Sequence, residues 1–244
     1  MMRAVRRVAG TLVFGAMLLT ALLAVFAGLR GRPQDLPWTP LDLSAPVGLF
    51  TGRKIARLHG DLPACRAALD RSGVAYRVLP PRHQGAACGY DDAVRFAAGG
   101  SRRLGFVPGA VGVACPVAAG LAMWEWNVVG LAAQRHLRQP VIEVEHFGSY
   151  NCRRLYGRDV GGWSEHATAD AIDIAGFRLA DGRRITVARD WHGRPADAAF
   201  LREVRDGACA LFATVLSPDY NAAHRDHLHL DQAARGATGW RACR

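Results

Sequence analysis

The stretch His227-Leu228-His229-Leu230-Asp231 alternates strictly between polar and apolar side chains. Successive side chains of a strand point to opposite faces, so Leu228 and Leu230 enter a core while His227, His229 and Asp231 share the other face. Ala171-Ile172-Asp173-Ile174-Ala175 repeats the pattern with isoleucine. There Asp173 shares its face with two alanines, small neighbours that leave a carboxylate room and access. A third alternation, Val141 to Phe147, sets Val141, Glu143 and Glu145 against Ile142, Val144 and His146. Around these strands lie helical patterns. Cys115 to Arg138 carries apolar residues around its surface (Val117, Leu121, Trp124, Val128, Leu131) and stops before Pro140. Pro195 to Leu216 reads as another helix, with Pro195 in its first turn and Pro218 just past its end. Asp61 to Ser72 has helical spacing, Val74 to Leu79 strand character, and Pro80-Pro81 closes the pair. Ala86 to Ala98 reads as loop with a Cys88-Gly89 turn, and Gly105 to Val113 has room for a short strand. The expectation is an α+β domain, helices packed on a small, mainly antiparallel sheet.

The N-terminus is different in kind. Val8 to Leu29 is an apolar run without a charged residue, about the length that crosses a bilayer as a helix. Arg3, Arg6 and Arg7 precede it and favour a cytoplasmic start. Two readings stand: an uncleaved single-pass anchor, or a signal segment cleaved near Val25-Phe26-Ala27 with the rest secreted. The run exceeds the usual ~7–15-residue signal core, which favours the anchor. Either way the remainder is exported. Arg30 to Pro46 is proline-rich and reads as a tether lying over the domain. The organisation expected is therefore 1–30 anchor or signal, 31–49 tether, and 50–244 exported domain.

Composition agrees. Half of the residues are hydrophobic, which suits a globular core. The net charge is +10, and Lys54 is the sole lysine. Arg3, Arg6, Arg7, Arg30 and Arg32 flank the apolar run, so half of the excess belongs to topology. The mildly basic remainder suits an acidic polymer or anionic lipid. No helix-turn-helix pattern, finger spacing or basic-aromatic stripe is present, so nucleic acid is not the expected partner. The six cysteines form no CxxC pair, which removes zinc-ribbon spacing. In an oxidising compartment they favour three disulfides among 15 possible pairings, with buried free thiols as the alternative.

The chemistry lies in two segments far apart in sequence, Ser164-Glu165-His166 with Asp173, and His224-Arg225-Asp226-His227-Leu228-His229. His166, seven residues before Asp173 and just after Gly161-Gly162-Trp163, can fold back beside it. Two imidazole nitrogens and one carboxylate oxygen, with a fourth position for water, make the ligand set of a catalytic zinc site. Iron accepts the same set. A structural zinc site is more often closed by four protein ligands.

The pattern S-x-H-x(6)-D followed by D-H-x-H resembles the D-Ala-D-Ala carboxypeptidase and penicillin-insensitive murein endopeptidase superfamily. More closely, the chain resembles the bacterial extensin-like C-terminal family. That likeness runs from Pro37-Trp38-Thr39-Pro40 through Cys88-Gly89, Cys115-Pro116-Val117, His146-Phe147-Gly148-Ser149-Tyr150 and Cys152-Arg153 to His227-Leu228-His229. It implies one zinc per chain on His166, Asp173 and His229. It places His227 and Asp226 in catalysis, and Arg153 on a substrate carboxylate with Ser164 beside it. The implied activity is a zinc peptidase, of carboxypeptidase or endopeptidase type, acting on peptidoglycan or its stem peptides. Two departures stand out. The glycine of an S-x-H-x-x-G loop is Thr168 or Ala169 here, and the shorter Asp226, not a glutamate, stands three residues before His229, so no Glu-x-x-His ends on that ligand. The second departure motivates an alternative, a non-catalytic wall-binding or scaffold protein that keeps the fold. Glu143 and Glu145 are expected on an exposed sheet face, His146 as packed or beside the metal ligands, Ser164 in loop hydrogen bonding, and Asp190 and His192 in an ordinary loop.

Overall fold

The computed structural model describes residues 2–235 and 240–244. It opens with α1 (Met2–Arg30). The 25 residues from Arg6 to Arg30 have a hydropathy of 2.5 and no buried share, so by length and composition this helix can cross a membrane. The proline-rich stretch that follows lies over the domain, as expected, and is tied down as well. It forms a 3₁₀ turn at Pro33–Asp35, and Gln34 and Leu43 are buried. The Lys54 ammonium donates to the Pro33 carbonyl at 3.0 Å, to Gln34 Oε1 at 3.2 Å and to Thr39 Oγ1 at 2.7 Å.

Two helices come next, α2 (Thr51–Ala56) and α3 (Leu62–Arg71). Asp61 caps α3 by accepting from the Ala64 N–H at 3.0 Å, and Gly73 (φ 68°) supplies the left-handed turn after it. The strands β1 (Val74–Val78), β2 (Arg82–Gln84), β3 (Cys88–Tyr90), β4 (Ala93–Gly100), β5 (Gly105–Val107) and β6 (Gly112–Ala114) follow. The loop expected over Ala86 to Ala98 is therefore β3 and most of β4. Its strand signal is only the short Ala93-Val94-Arg95-Phe96 alternation. What completes it is pairing on both sides, with β1 (Tyr76 opposite Phe96) and with β6 (Val94 opposite Val113).

Helix α4 starts at Cys115, and every residue of Cys115–Trp124 is buried. It continues through two π-helical turns, Glu125–Val129 and Ala133–Leu137, until Arg138 turns left-handed (φ 53°) before Pro140. An all-round apolar surface marks it as the helix at the centre of the core. Trp124 donates its indole N–H to the Val204 carbonyl at 2.8 Å, while Leu131, expected on the apolar surface, is half exposed.

The larger sheet contains β7 (Val141–Gly148), β8 (Ala171–Leu179), β9 (Arg184–Thr186), β10 (Thr214–Leu216), β11 (Leu228–Asp231) and β12 (Ala242–Cys243). Its order is β12-β10-β11-β8-β7-β5, with β9 on β8. Pairings β5–β7 and β10–β12 are parallel and the rest antiparallel. Ile172, Ile174, Phe177, Leu228 and Leu230 are fully buried, and Phe177 packs against Trp124 and Phe200 at 5.8 and 5.0 Å between ring centroids. Phe200 belongs to the helix Pro195–Ala208. The longer helix expected to Leu216 ends there, because Thr214-Val215-Leu216 leaves to pair with β11. Apolar residues at 208, 211, 212 and 215 fit a helical face, and only the partner strand decides against it.

Register shifts in β7 break the simple alternation expected of it. Val144 and Glu145 are both buried, and Ile142 is exposed. Glu145, expected on an exposed face, is buried and gripped by Arg184 through two bonds of 2.6 Å, while Glu143 pairs with Arg178 at 3.2 Å.

All six cysteines are paired: Cys65–Cys115, Cys88–Cys152 and Cys209–Cys243. The first joins α3 to the start of α4 across 50 residues, with both partners fully buried. Replacing Cys65 and Cys115 together by alanine is expected to lower the unfolding free energy by about 2–5 kcal/mol. Guanidinium unfolding of the full chain in detergent measures this, and an unchanged midpoint would show that the bridge constrains nothing.

Candidate metal centre

β8 and β11 are adjacent, and their register sets His229 directly opposite Asp173. The pairs Ile172–Leu230 and Ile174–Leu228 on either side turn inward, which leaves this pair on the opposite face together with Ala171–Asp231. The third group comes from a 3₁₀ turn, Glu165–Thr168. Ser164 caps it by accepting from the His166 N–H at 3.4 Å, so Ser164 has the loop role expected of it. Ala169 ends the turn in a left-handed conformation (φ 60°, ψ 15°). It is one of the two positions where the S-x-H-x-x-G loop has glycine, and the missing glycine costs about 1 kcal/mol. The Ala114 N–H and the Ser149 hydroxyl hold the Ala169 carbonyl at 2.9 and 3.3 Å.

His166 Nε2, His229 Nδ1 and Asp173 Oδ1 form a triangle with edges of 3.2, 3.2 and 3.0 Å. Ligands at about 2.0–2.1 Å from a tetrahedral zinc are about 3.3 Å apart, so the triangle fits that ion. Proton bookkeeping points the same way. His166 Nδ1 lies 2.6 Å from the Ser149 carbonyl and His229 Nε2 lies 3.0 Å from Asp231 Oδ2. Both outer nitrogens face acceptors and must carry hydrogen. With both rings neutral, the inner nitrogens are lone pairs aimed at one another and at a carboxylate, a set that could hold a metal ion; without a metal, a proton on His229 takes that place. Outer partners of this kind fix the tautomer of a metal-ligating histidine.

The ionisation tendencies agree. Burial alone would lift the Asp173 carboxyl, yet hydrogen bonds from His166 and His229, and their charges, hold it far below the ordinary carboxylate range. Burial likewise pulls His229 down, but its bonds to Asp173 and Asp231 outweigh that and raise it to about 9.

His227 lies beside the cluster, its Nε2 3.5 Å from Asp173 Oδ1 and its Nδ1 2.8 Å from Asp226 Oδ1. Asp226 precedes the strand, which begins at Leu228, and this freedom lets it reach back to its neighbour. The two form a carboxylate–imidazole dyad aimed at the cluster. All of this opens into a cavity of about 840 Å³ that Arg153 and Ser164 also line. Arg153 has no carboxylate partner among the described residues. His146 is held elsewhere, its Nε2 bonding the Gly109 carbonyl at 2.9 Å. Asp190, expected in an ordinary loop, ends a helical turn (Val187–Asp190), is buried and pairs with Arg189 at 2.8 Å; His192 is exposed.

Sequence reasoning missed four contributors. Asp231 supports His229 from two positions along the same strand face, a relation readable in His-x-Asp. His224 lines the cavity with its ring 5.3 Å from that of His227, and its Nδ1 faces Asn221 Oδ1 at 2.8 Å. Burial, with repulsion from His227 and His229, lowers it to about 4 and keeps it neutral. The spacing His224-x-x-His227-x-His229 carried that signal. Glu165 also lines the cavity, its carboxyl raised by burial and by the Asp231 charge. The Ser149 carbonyl had no signal, because a backbone acceptor leaves none.

A family model described as Extensin-like protein C-terminus matches residues 63–244, which include every residue of the cluster. Searches of curated proteins and of solved structures find no match.

Without a cation, the raised His229 contributes stability that is full below pH ~6.5 and is lost as pH rises through about 9. Zinc must displace that proton, so its affinity is expected to climb about tenfold per pH unit from ~7 to ~9 and then level off. Competition with a chromophoric chelator reads the slope, and a flat profile removes His229 from the ligand set. Asp231→Asn is expected to weaken zinc about 10–100-fold at pH 7.

Proposed function

We propose that this chain, which belongs to the extensin-like C-terminal family, is a zinc-dependent hydrolase of peptide bonds in peptidoglycan, held outside the cytoplasmic membrane by α1. The observation that carries the reading is the cluster of His166, Asp173 and His229 beside a further imidazole, His227, that is backed by Asp226. A scaffold needs the first and has no use for the second. The relation to the D-Ala-D-Ala carboxypeptidase and murein endopeptidase superfamily belongs to the same proposal, supported by the arrangement of His166, Asp173 and His229.

When bound, zinc supplies Lewis acidity toward an amide carbonyl and lowers the pKa of a water. The protein does the rest. His227 takes a proton at Nε2 and returns it to the leaving amine, while Asp226 keeps its Nδ1 protonated and stabilises the imidazolium. In this reading Asp226 and His227 share the role. The histidine moves the proton and the aspartate orients it, in place of a glutamate three residues before His229. Arg153 is placed to hold a carboxylate of the substrate in the cavity, turning binding energy into orientation. Stem peptides carry such carboxylates, and an exported domain meets them.

Zinc-loaded protein is expected to release new products from purified muropeptides, and His166→Ala to abolish both zinc binding and release. His227→Gln should keep its zinc yet lose about 10²–10⁴ in kcat. Arg153→Gln should act mainly on KM. Sacculi bound without any product, by zinc-loaded protein, would overturn the enzyme reading in favour of wall binding.

A further inference from the structure

A second cavity, of about 450 Å³, shares Arg235 and Trp240 with the metal cavity. Its chemistry comes from four guanidinium groups, Arg53, Arg57, Arg235 and Arg241, over a floor of alanines, and no acidic residue lines it. Elsewhere the chain pairs its arginines with carboxylates in or near the interior: Arg102 with Glu125 at 2.7 Å, Arg183 with Asp197 at 2.7 Å and Arg184 with Glu145 at 2.6 Å. For Arg53, Arg57 and Arg241 the partners are carbonyls and a ring face. Arg241 donates to the Phe212 carbonyl at 3.1 and 2.7 Å, Arg57 donates to the Pro37 carbonyl at 3.2 Å, and Arg53 lies over the Phe50 ring at 5.7 Å. Among the described residues, none of these three has a carboxylate within ion-pair distance. Burial and the Arg53 charge together push the Arg241 guanidinium below its ordinary range. Gly52 makes the arrangement possible, because a side chain there would collide with that guanidinium.

Arg53, Arg57 and Arg241 are like charges gathered round one hollow with no carboxylate of the described residues at ion-pair distance, and an anion there relieves their repulsion. Guanidinium forks match planar oxyanions with two bonds each. We infer that this cavity is an anion-binding subsite for a carboxylate or phosphate group, carried by a ligand that continues past Trp240 into the metal cavity. The shared wall supports that continuity. A lipid phosphate at the membrane is the other source of the same chemistry. The subsite itself stands without the hydrolase reading; only its link to the cleft rests on it.

Calorimetric titration of the full chain in neutral detergent micelles with inorganic phosphate tests the subsite. One saturable site is expected, weakened about tenfold or more by Arg53→Gln and unchanged by Arg95→Gln, an exposed arginine on β4. Arg241→Gln should weaken it as well, but it also loses the Phe212 contact, so the Arg53 variant carries the decision. No saturable binding by the wild type, or equal losses in the Arg53 and Arg95 variants, would overturn the subsite. Nanodiscs separate the sources. Phosphate affinity that is the same in phosphatidylcholine and phosphatidylglycerol supports a ligand reaching from the cleft. Affinity lost only in phosphatidylglycerol gives the arginines to lipid headgroups and overturns that link.

Discussion

Two imidazole nitrogens and a carboxylate oxygen stand about 3 Å apart where the turn of His166 meets β8 and β11. Left alone, such a group would repel itself apart or recruit protons, and the surrounding structure makes sense as the means of holding it together. The Ser149 carbonyl and the Asp231 carboxylate take the outer hydrogens and so dictate which nitrogens face inward. Strand pairing sets two of the three groups at fixed spacing without help from any loop. The third sits on a tight turn whose end is a left-handed alanine, strained and therefore braced by Ala114 and Ser149.

The histidines around the cleft differ in protonation because their second nitrogens differ in partner. His229 faces two carboxylates and gathers charge. His224 faces an amide oxygen, lies among other imidazoles and stays neutral. His227 lies between these environments, with one carboxylate behind it and the cluster ahead. Position sets His227 apart: its Nδ1 is held by Asp226, which lies off the strand and reaches back to it, while its Nε2 faces the cluster.

The legible part of the fold was the part with strict periodicity. The Ile172/Ile174 and Leu228/Leu230 alternations placed both site strands and their outward faces, and the residues between them came together as read. The membrane-length helix and the pairing of the six cysteines were equally plain in composition. Where the sequence was ambiguous, partner strands made the decision. Thr214–Leu216 continues a helical pattern and is a strand only because β11 lies alongside. Ala93–Phe96 is too short to announce itself until β1 and β6 flank it. Register shifts in β7 defeated the reading of Glu145, since one extra residue moves a side chain from one face to the other. Supports made of backbone, such as the Ser149 carbonyl, have no letter of their own.

The disulfides bind address and chemistry into one argument. Cys152 adjoins Arg153, and its bridge to Cys88 fixes the loop that carries this arginine into the cavity. Cys243 lies between Ala242 and Arg244, two residues of the cavity wall, and its bridge to Cys209 holds that edge against the end of the helix Pro195–Ala208. Cys115 follows Ala114, whose N–H braces the turn of His166, and its bridge to Cys65 anchors that brace in the core. Each bridge therefore ends within one residue of something the site uses. A reducing compartment would release all of these tethers at once, and the loops around the cluster have little other regular structure to keep them in place. The helix at the N-terminus is thus more than an address. In the proposed reading it leads the chain into a compartment where thiols pair, and so supplies the condition under which the loops of this site hold their shape.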